Sequence, residues 1–337
     1  MILVTGSSGL LGSHLLFALA SRGKEIKAVI RSEKSIRQIE KVFSYYTDEP
    51  GKYLSKITWL HGDLLNYEDV KEMTAGIEEV FHTAAIVSYK KSDRGRIISE
   101  NTLMAQNVVN ACQSNKVRRL CHISSIAALG DQDKLITEET SYDMTGRNSA
   151  YSSGKFRAEL EVWRGIAEGL DAVILNPSVI IGPGDWNRSS CALFKTVDRG
   201  LKFYTEGTTG FVDVRDVARC AIDLMEGNTV NQKFIINSQN TDYLTLFTEM
   251  ALALGKKPPI IKVNPAMAKL ACFLEHLRTL MTGKSPVITH ETARISMKKL
   301  QYSAEKIINK TGIAFIPVKE SVKHTASIFL RETRPRS

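Results

Sequence analysis

Within its first twelve residues the chain runs from a short apolar stretch, Ile2 to Val4, straight into Thr5-Gly6-Ser7-Ser8-Gly9-Leu10-Leu11-Gly12, and then into an apolar-periodic segment that reaches Ser21. Strand, glycine-rich loop and helix in that order constrain the fold more than anything else in the sequence. The glycines serve the tight turn, the close approach of backbone to a phosphate and the helix–strand contact, while the helix N-terminus offers free N–H groups to a pyrophosphate. Gly6, Ser8, Gly9, Leu10, Leu11 and Gly12 are therefore the expected cradle of a dinucleotide. Outside such a context a glycine triplet would carry little weight.

From Ile2 to about residue 180, short apolar runs alternate with helical-period segments. The runs are Ile2 to Val4, Ile26 to Ile30, Ile57 to Leu60, Glu79 to His82, Leu120 to Ile123 and Ala172 to Leu175; between them lie Leu10 to Ser21, Tyr67 to Ala75, Asn101 to Gln113 and Tyr151 to Glu168. Such alternation predicts an α/β fold, a Rossmann-type doubly wound parallel sheet. After Gly182-Pro183-Gly184-Asp185 the strands become less regular, and helical patterns recur at Tyr243 to Leu254, Ala266 to Met281 and Val318 to Leu330. The expected division is a dinucleotide-binding domain over residues 1–182 and a smaller, interleaved C-terminal substrate lobe over 183–337. Part of 211–240 should return to the sheet, because Phe211 to Met225 and Phe234 to Asn237 again read as strand, helix and strand.

Composition narrows the partners. With 337 residues, 43% hydrophobic and 24% charged, the chain is ordinary globular material. The net charge of +9 is scattered rather than gathered into a basic stripe with interleaved aromatics, so nucleic acid is not an expected partner. The five cysteines have no Cys-x-x-Cys pair and read as reduced core thiols. His82 and His122 fall in strand patterns with no partner at ligand spacing, so no metal is expected. The longest apolar stretch, Met267 to Leu274, is broken by Lys269 and cannot span a membrane. With the first strand beginning at Ile2, the expected compartment is the cytoplasm.

The second strand ends in Arg31 with Lys34 close behind, where a carboxylate would normally meet the adenosine ribose; this favours a 2′-phosphate and hence NADP(H), with NAD(H) the alternative if Glu33 curls back to the ribose. Asp63-Leu64 follows the third strand, where a carboxylate can accept from the adenine amino group. Ala84-Ala85 follows the fourth, where a dinucleotide passes close to backbone. Tyr151-Ser152-Ser153-Gly154-Lys155 opens a helix, and the four-residue spacing sets phenol and ammonium on one face. An ammonium there is expected to lower the phenol pKa toward neutrality and suit Tyr151 to proton transfer. Ser125, at the carboxyl end of the fifth strand, would hydrogen-bond a substrate oxygen beside it.

This ordered series resembles the extended short-chain dehydrogenase/reductase family, of the NAD-dependent epimerase/dehydratase superfamily, over essentially the whole chain. The motifs are Thr5 to Gly12, Asp63, Ala84-Ala85, Asn101, Ser125, Tyr151, Lys155, Asn176 to Asp185 and Phe211 to Ala218. The resemblance implies catalysis by Ser125, Tyr151 and Lys155, nicotinamide contacts from Pro177 and Val179, a lobe junction shaped by Asp213 and Asp216, and Asn101 behind the site. An ordinary reading of Asn101, a helix residue satisfied by a neighbouring carbonyl, stands beside that one.

Two branches of the family compete. Nucleotide-sugar epimerases and dehydratases typically carry an Arg two residues ahead of the position of Val212, and here Thr208-Thr209-Gly210-Phe211 holds no cation. The branch that resembles dihydroflavonol reductase and 3β-hydroxysteroid dehydrogenase is favoured: an oxidoreductase acting on a ketone or secondary alcohol of an apolar small molecule. Val87, Tyr89, Trp186 and Phe211 are candidate substrate contacts, with Phe203 and Tyr204 nearby. Arg188 is the cation on which the nucleotide-sugar alternative depends. A non-catalytic NADP-binding regulator is the third reading, disfavoured by the joint presence of Ser125, Tyr151 and Lys155. The amphipathic stripe Met267, Leu270, Phe273, Leu277 reads as packing before it reads as a lid or the face of a homodimer.

Overall fold

The computed structural model describes residues 1–87, 93–130, 135–144, 148–264, 266–269, 275 and 290–334. Seven parallel strands form its central sheet: β1 (Ile2–Thr5), β2 (Ile26–Ile30), β3 (Ile57–His61), β4 (Glu79–His82), β5 (Arg119–Ile123), β7 (Ala172–Pro177) and β11 (Gln232–Ile236), in the order β11-β7-β5-β4-β1-β2-β3. A two-residue strand β6 (Leu135–Ile136) lies outside it. β1, β5 and β7 are buried along their whole length, as strands covered on both faces must be, and β1 and β7 accordingly carry the unbroken apolar runs Ile2 to Val4 and Ala172 to Leu175.

Helices cover both faces. Against one lie α1 (Leu10–Ser21) and α2 (Lys34–Phe43), joined by α8 (Val214–Glu226), and their side chains share a core with Val4, Ala28, Phe81, Cys121 and Val173. Against the other lie α4 (Tyr67–Met73), α5 (Arg94–Ser114) and α6 (Ala150–Ala167), packed on Leu3, Val80, Leu120 and Ile174. A short α3 (Pro50–Leu54) precedes β3. The strand order reverses between β1 and β4, which opens a crevice at the carboxyl ends of those two strands, the usual ligand position in such a sheet.

Beyond β7 the chain crosses to a second sheet, ordered β12-β10-β8, of β8 (Val179–Ile181), β10 (Thr208–Asp213) and β12 (Gln239–Asp242). Between its strands run α7 (Cys191–Asp198), the two-residue β9 (Phe203–Tyr204) and then α8 and β11, so the chain visits this sheet, returns to the first, and leaves again. α9 (Tyr243–Ala253) and the C-terminal helix Val318–Thr333 close a separate core with Phe194, Phe211, Leu246, Met250 and Phe329.

The differences from expectation are local. α2 and α3 carry no strong apolar run: α2 buries only Ile39, Val42 and Phe43. α5 starts at Arg94, ahead of Asn101, because its opening turns are polar. Of the stripe expected over Ala266 to Met281, Leu270, Phe273 and Leu277 lie outside the described residues. Cys112, Cys121, Cys191 and Cys220 are free and buried. No helix among the described residues is long and apolar enough to cross a membrane.

Candidate active site

The glycine loop is built by exclusion of side chains. Gly6 takes φ +67°, and a Cβ there would stand 2.5 Å from the Ala84 nitrogen; one on Gly12 would stand 2.2 Å from the Gly6 carbonyl oxygen. Only glycines let the loop fold on itself and against the turn after β4, and that turn is small-residue Ala84-Ala85 for the same reason. Gly9 N–H donates to Gly6 O at 2.9 Å, and Ser7 Oγ–H donates to the Val29 carbonyl, tying the loop to β2. Gly9 is the N-cap of α1 and offers no capping side chain, so the first-turn N–H groups of Leu10, Leu11 and Gly12 are served by no side chain of the cap. An open helix start against a side-chain-free cradle fits a pyrophosphate. Leu11 is buried and Leu10 packs against both cores, which anchors that start.

Along the rim, Arg31 and Lys34 are exposed past the end of β2, and Glu33 is held by His61 at 3.0 Å. Asp63 is exposed and accepts from Leu65 N–H at 3.0 Å; Leu64 is buried, its carbonyl accepting from Asn107 at 2.9 Å. Asn101, 3% exposed, accepts from Ile86 N–H at 2.8 Å and donates to the carbonyls of Ile86 and Ile97 at 3.0 and 2.9 Å. It clamps the segment after Ala85 to α5 and is fully used in doing so.

Because β1, β4, β5 and β7 are neighbours, Gly6, Ala84, Ser125 and Pro177 come to one edge of the sheet. Ser125 Oγ accepts from Ala127 N–H at 3.1 Å and is hydrogen-bonded to the Tyr151 phenol, which α6 presents from its first turn, capped by Ser149 accepting from Ser152 N–H at 2.8 Å. One turn on, Lys155 is 3% exposed and donates to the Ile123 carbonyl at 2.6 Å. The expected depression of the phenol pKa is not what this arrangement produces. Burial pushes Tyr151 above its ordinary value, the Ser125 hydrogen bond opposes that, and the ammonium is turned toward Ile123. Desolvation pushes Lys155 down to about 8, against the pull of Glu159.

Glu159, Asn176, His82 and His122 were not singled out as parts of the site. Glu159 accepts from Ser124 Oγ–H at 2.8 Å and Asn176 Nδ2 at 2.9 Å, and Asn176 also donates to the Ser125 carbonyl at 3.0 Å. The visible signal was a carboxylate four residues past Lys155. His82 and His122 sit in register on β4 and β5 with ring centroids 5.2 Å apart; His82 Nδ1 meets Thr5 Oγ1 at 2.8 Å. Burial pushes His82 down to about 3.

Pro177 is buried at the end of β7 and Val179 is half-buried at the start of β8, where the chain changes sheets. Asp213 caps α8 and pairs with Arg215 at 2.8 Å, while Asp216 accepts from Ile316 N–H at 2.7 Å, joining α8 to the C-terminal segment. Val87 is 47% exposed, and Tyr89 lies outside the described residues. Two candidate substrate contacts need correcting. Phe211 has no accessible surface and packs edge-on against Tyr243; Trp186 is buried against Phe329 with its Nε1–H donated to Glu332 at 2.5 Å. Both are core residues, since aromatic bulk in β10 and before α7 serves the second core.

A Rossmann sheet with a side-chain-free phosphate cradle defines the class: a dinucleotide-dependent α/β enzyme. The chain belongs to the NAD dependent epimerase/dehydratase family, which it matches over residues 2–237, and within it to the extended short-chain dehydrogenase/reductases, enzymes that are NAD(P)-dependent oxidoreductases or epimerases. It is 24% identical over 327 residues to a putative dihydroflavonol 4-reductase of Synechocystis sp., covering 95% of this chain and 91% of that one. Over 192 residues it is 33% identical to a 3-beta-hydroxysteroid dehydrogenase of Mycolicibacterium neoaurum, covering 55% of this chain and 48% of that one. The crystal structure of UDP-glucose 4-epimerase from Thermotoga maritima with UDP-glucose superposes with a TM-score of 0.76 at 19% identity, covering 98% of this chain and 99% of that one. At that identity the likeness speaks for the fold alone.

Proposed function

We propose that the chain reduces a ketone, or oxidises a secondary alcohol, on a largely apolar small molecule through Ser125, Tyr151 and Lys155, with NADP(H) favoured over NAD(H). The observation that carries this is the Ser125–Tyr151 hydrogen bond with buried Lys155 one turn away, at the sheet edge that also carries the phosphate cradle. A phenol raised by burial is neutral at pH 7, the state a proton donor needs. In reduction, Tyr151 hands its proton to the carbonyl oxygen while the Ser125 hydroxyl hydrogen-bonds the same atom, and Lys155 holds the cofactor ribose. The nicotinamide, when bound, supplies the hydride. Gly6, Ser8, Gly9, Leu10, Leu11 and Gly12 take the pyrophosphate, Asp63, Leu64, Ala84 and Ala85 border the adenosine, Pro177 and Val179 border the nicotinamide, and Val87 faces the substrate. Residues 183–337, apart from the stretch within 211–240 that rejoins the sheet, form the substrate lobe.

An apolar substrate is supported over a nucleotide sugar by Arg188: its side chain is 82% exposed and lies 3.5 Å from Asp185. A sugar diphosphate brings about two charges that need cations or N–H donors, and this cation is turned to solvent. The names of the reductase and dehydrogenase relatives agree with that choice. The test is NADPH oxidation by purified protein with a panel of apolar ketones. Turnover that Tyr151→Phe abolishes without loss of cofactor affinity is the expected result. Wild-type rates in that variant would sink the mechanism, and micromolar binding of UDP- or dTDP-sugars weakened by Arg188→Ala would sink the substrate class.

A further inference from the structure

Glu159 lies one turn beyond Lys155 on α6 and is 4% exposed, a depth at which an ionised carboxylate needs partners. It has them on three elements. Ser124 Oγ–H donates at 2.8 Å from the end of β5, Asn176 Nδ2 at 2.9 Å from the end of β7, and Trp163 Nε1–H at 3.4 Å from the next turn of α6. Lys233 of β11 stands 3.8 Å away. Asn176 divides its amide between Glu159 and the Ser125 carbonyl at 3.0 Å, so Glu159 is tied to the Ser124 side chain directly and to the Ser125 backbone through Asn176.

The electrostatic surroundings of Lys155 are one-sided. Tyr151 on its own helix is a neutral phenol, and His82 on β4 and His122 on β5 are held neutral by burial. Glu159 is the negative charge that acts on it. On its outer side Glu159 borders a cavity of about 530 Å³ whose other charged walls are Glu138, Glu139, Lys233 and Lys306; Glu138 is engaged by Ile235 N–H at 2.8 Å.

We propose that Glu159 is a positioning residue of the Ser125–Tyr151–Lys155 site, its carboxylate bracing the ends of β5 and β7 while supplying a negative charge one helical turn from Lys155. The functional weight of this role rests on the oxidoreductase reading of the site, but the charge effect is measurable without any substrate. A brace alone would be served by an amide; holding a cation in a desolvated place needs an anion.

The experiment follows the Lys155 side chain directly, by NMR of protein labelled with 13Cε-lysine, with its resonance assigned by its loss in Lys155→Met. In the wild type the midpoint is expected near about 8. Glu159→Gln should move it toward acid by about one pH unit, a tenfold change in ionisation constant, whereas Glu159→Asp should leave it close to the wild-type value. Should circular dichroism show Glu159→Gln unfolded, Lys233→Met serves instead: with the competing cation gone, the Lys155 midpoint should rise. A folded Glu159→Gln, or in its place Lys233→Met, that titrates like the wild type overturns the inference. Failure of the catalytic reading is distinct, since it shows as wild-type turnover in Tyr151→Phe whatever the lysine titration does.

Discussion

His14 donates through Nε2 to the Pro183 carbonyl at 2.8 Å, and its Nδ1 meets the Tyr46 hydroxyl, which can donate to a neutral ring. Burial pushes it down to about 4, and His82 down to about 3. A depressed imidazole withholds a proton that the unfolded chain takes up below its ordinary value, so stability is complete above about pH 6.5 and is lost as pH falls through the folded values, on the order of 3 kcal/mol for His14. Urea midpoints at pH 7 and pH 5 should differ accordingly; equal midpoints would contradict the neutral-ring assignment. On the rim, Arg31 is exposed past the end of β2. NADPH should therefore bind more tightly than NADH by about 1 to 3 kcal/mol, the scale of a charge-assisted contact. Arg31→Asp should reverse the order in fluorescence titrations, and equal affinities in the wild type would refute the 2′-phosphate reading. Tyr151 and Lys155 were legible because four-residue spacing on a helix is local information. Glu159 with Asn176, and His82 with Thr5, were not: the first pair meets only when α6 packs on the end of β7, the second only when β1 and β4, 77 residues apart, are laid side by side.

α5 and α6 approach closely because α6 turns glycines toward its neighbour: a Cβ on Gly154 would lie 3.1 Å from the Ile97 carbonyl, and one on Gly165 would lie 2.5 Å from Val109 Cγ1. Gly154 inside the Tyr-x-x-x-Lys segment thus answers to helix packing. Asn101 completes the joint by clamping Ile86 to α5, and Asn101→Leu would strand the half-buried amide and carbonyl of Ile86. A loss of about 3 kcal/mol is expected for the two unsatisfied groups. Denaturant unfolding reads it, and a loss below about 1 kcal/mol would mean that water replaces the clamp. The strands of the main sheet were readable as largely apolar runs, most clearly β1 and β7, which are buried along their whole length, whereas the edge strand β3 fully buries Ile57 alone. α2 was passed over although Ile36, Ile39, Val42 and Phe43 recur at helical spacing, because Lys34, Arg37, Glu40 and Lys41 between them leave the segment polar on average.

Glu332 on the C-terminal helix gathers three side chains from two distant segments: Lys41 Nζ at 2.7 Å and Tyr45 O–H at 2.8 Å from α2 and the turn after it, and Trp186 Nε1–H at 2.5 Å. It joins the end of the chain to the first βαβ unit and to the stretch after Pro183. Glu332→Ala leaves two buried or half-buried donors unserved and should cost about 2 kcal/mol, lowering Tm by several degrees. A scan within a degree of wild type would show the join to be dispensable. No local pattern could have disclosed it, since Tyr45 and Glu332 are 287 residues apart, and the 146 residues between Trp186 and Glu332 explain why Trp186 looked available to a substrate. β11, by contrast, pairs with β7 only after the chain has passed from Val179 to Asn231. During synthesis, then, the edge of β7 emerges with its ladder unfilled and entirely apolar from Ala172 to Leu175, a template for intermolecular pairing until β11 leaves the ribosome. Slow translation through that interval would lengthen the vulnerable period, so the chain's yield in a cell depends on the tempo of its second half.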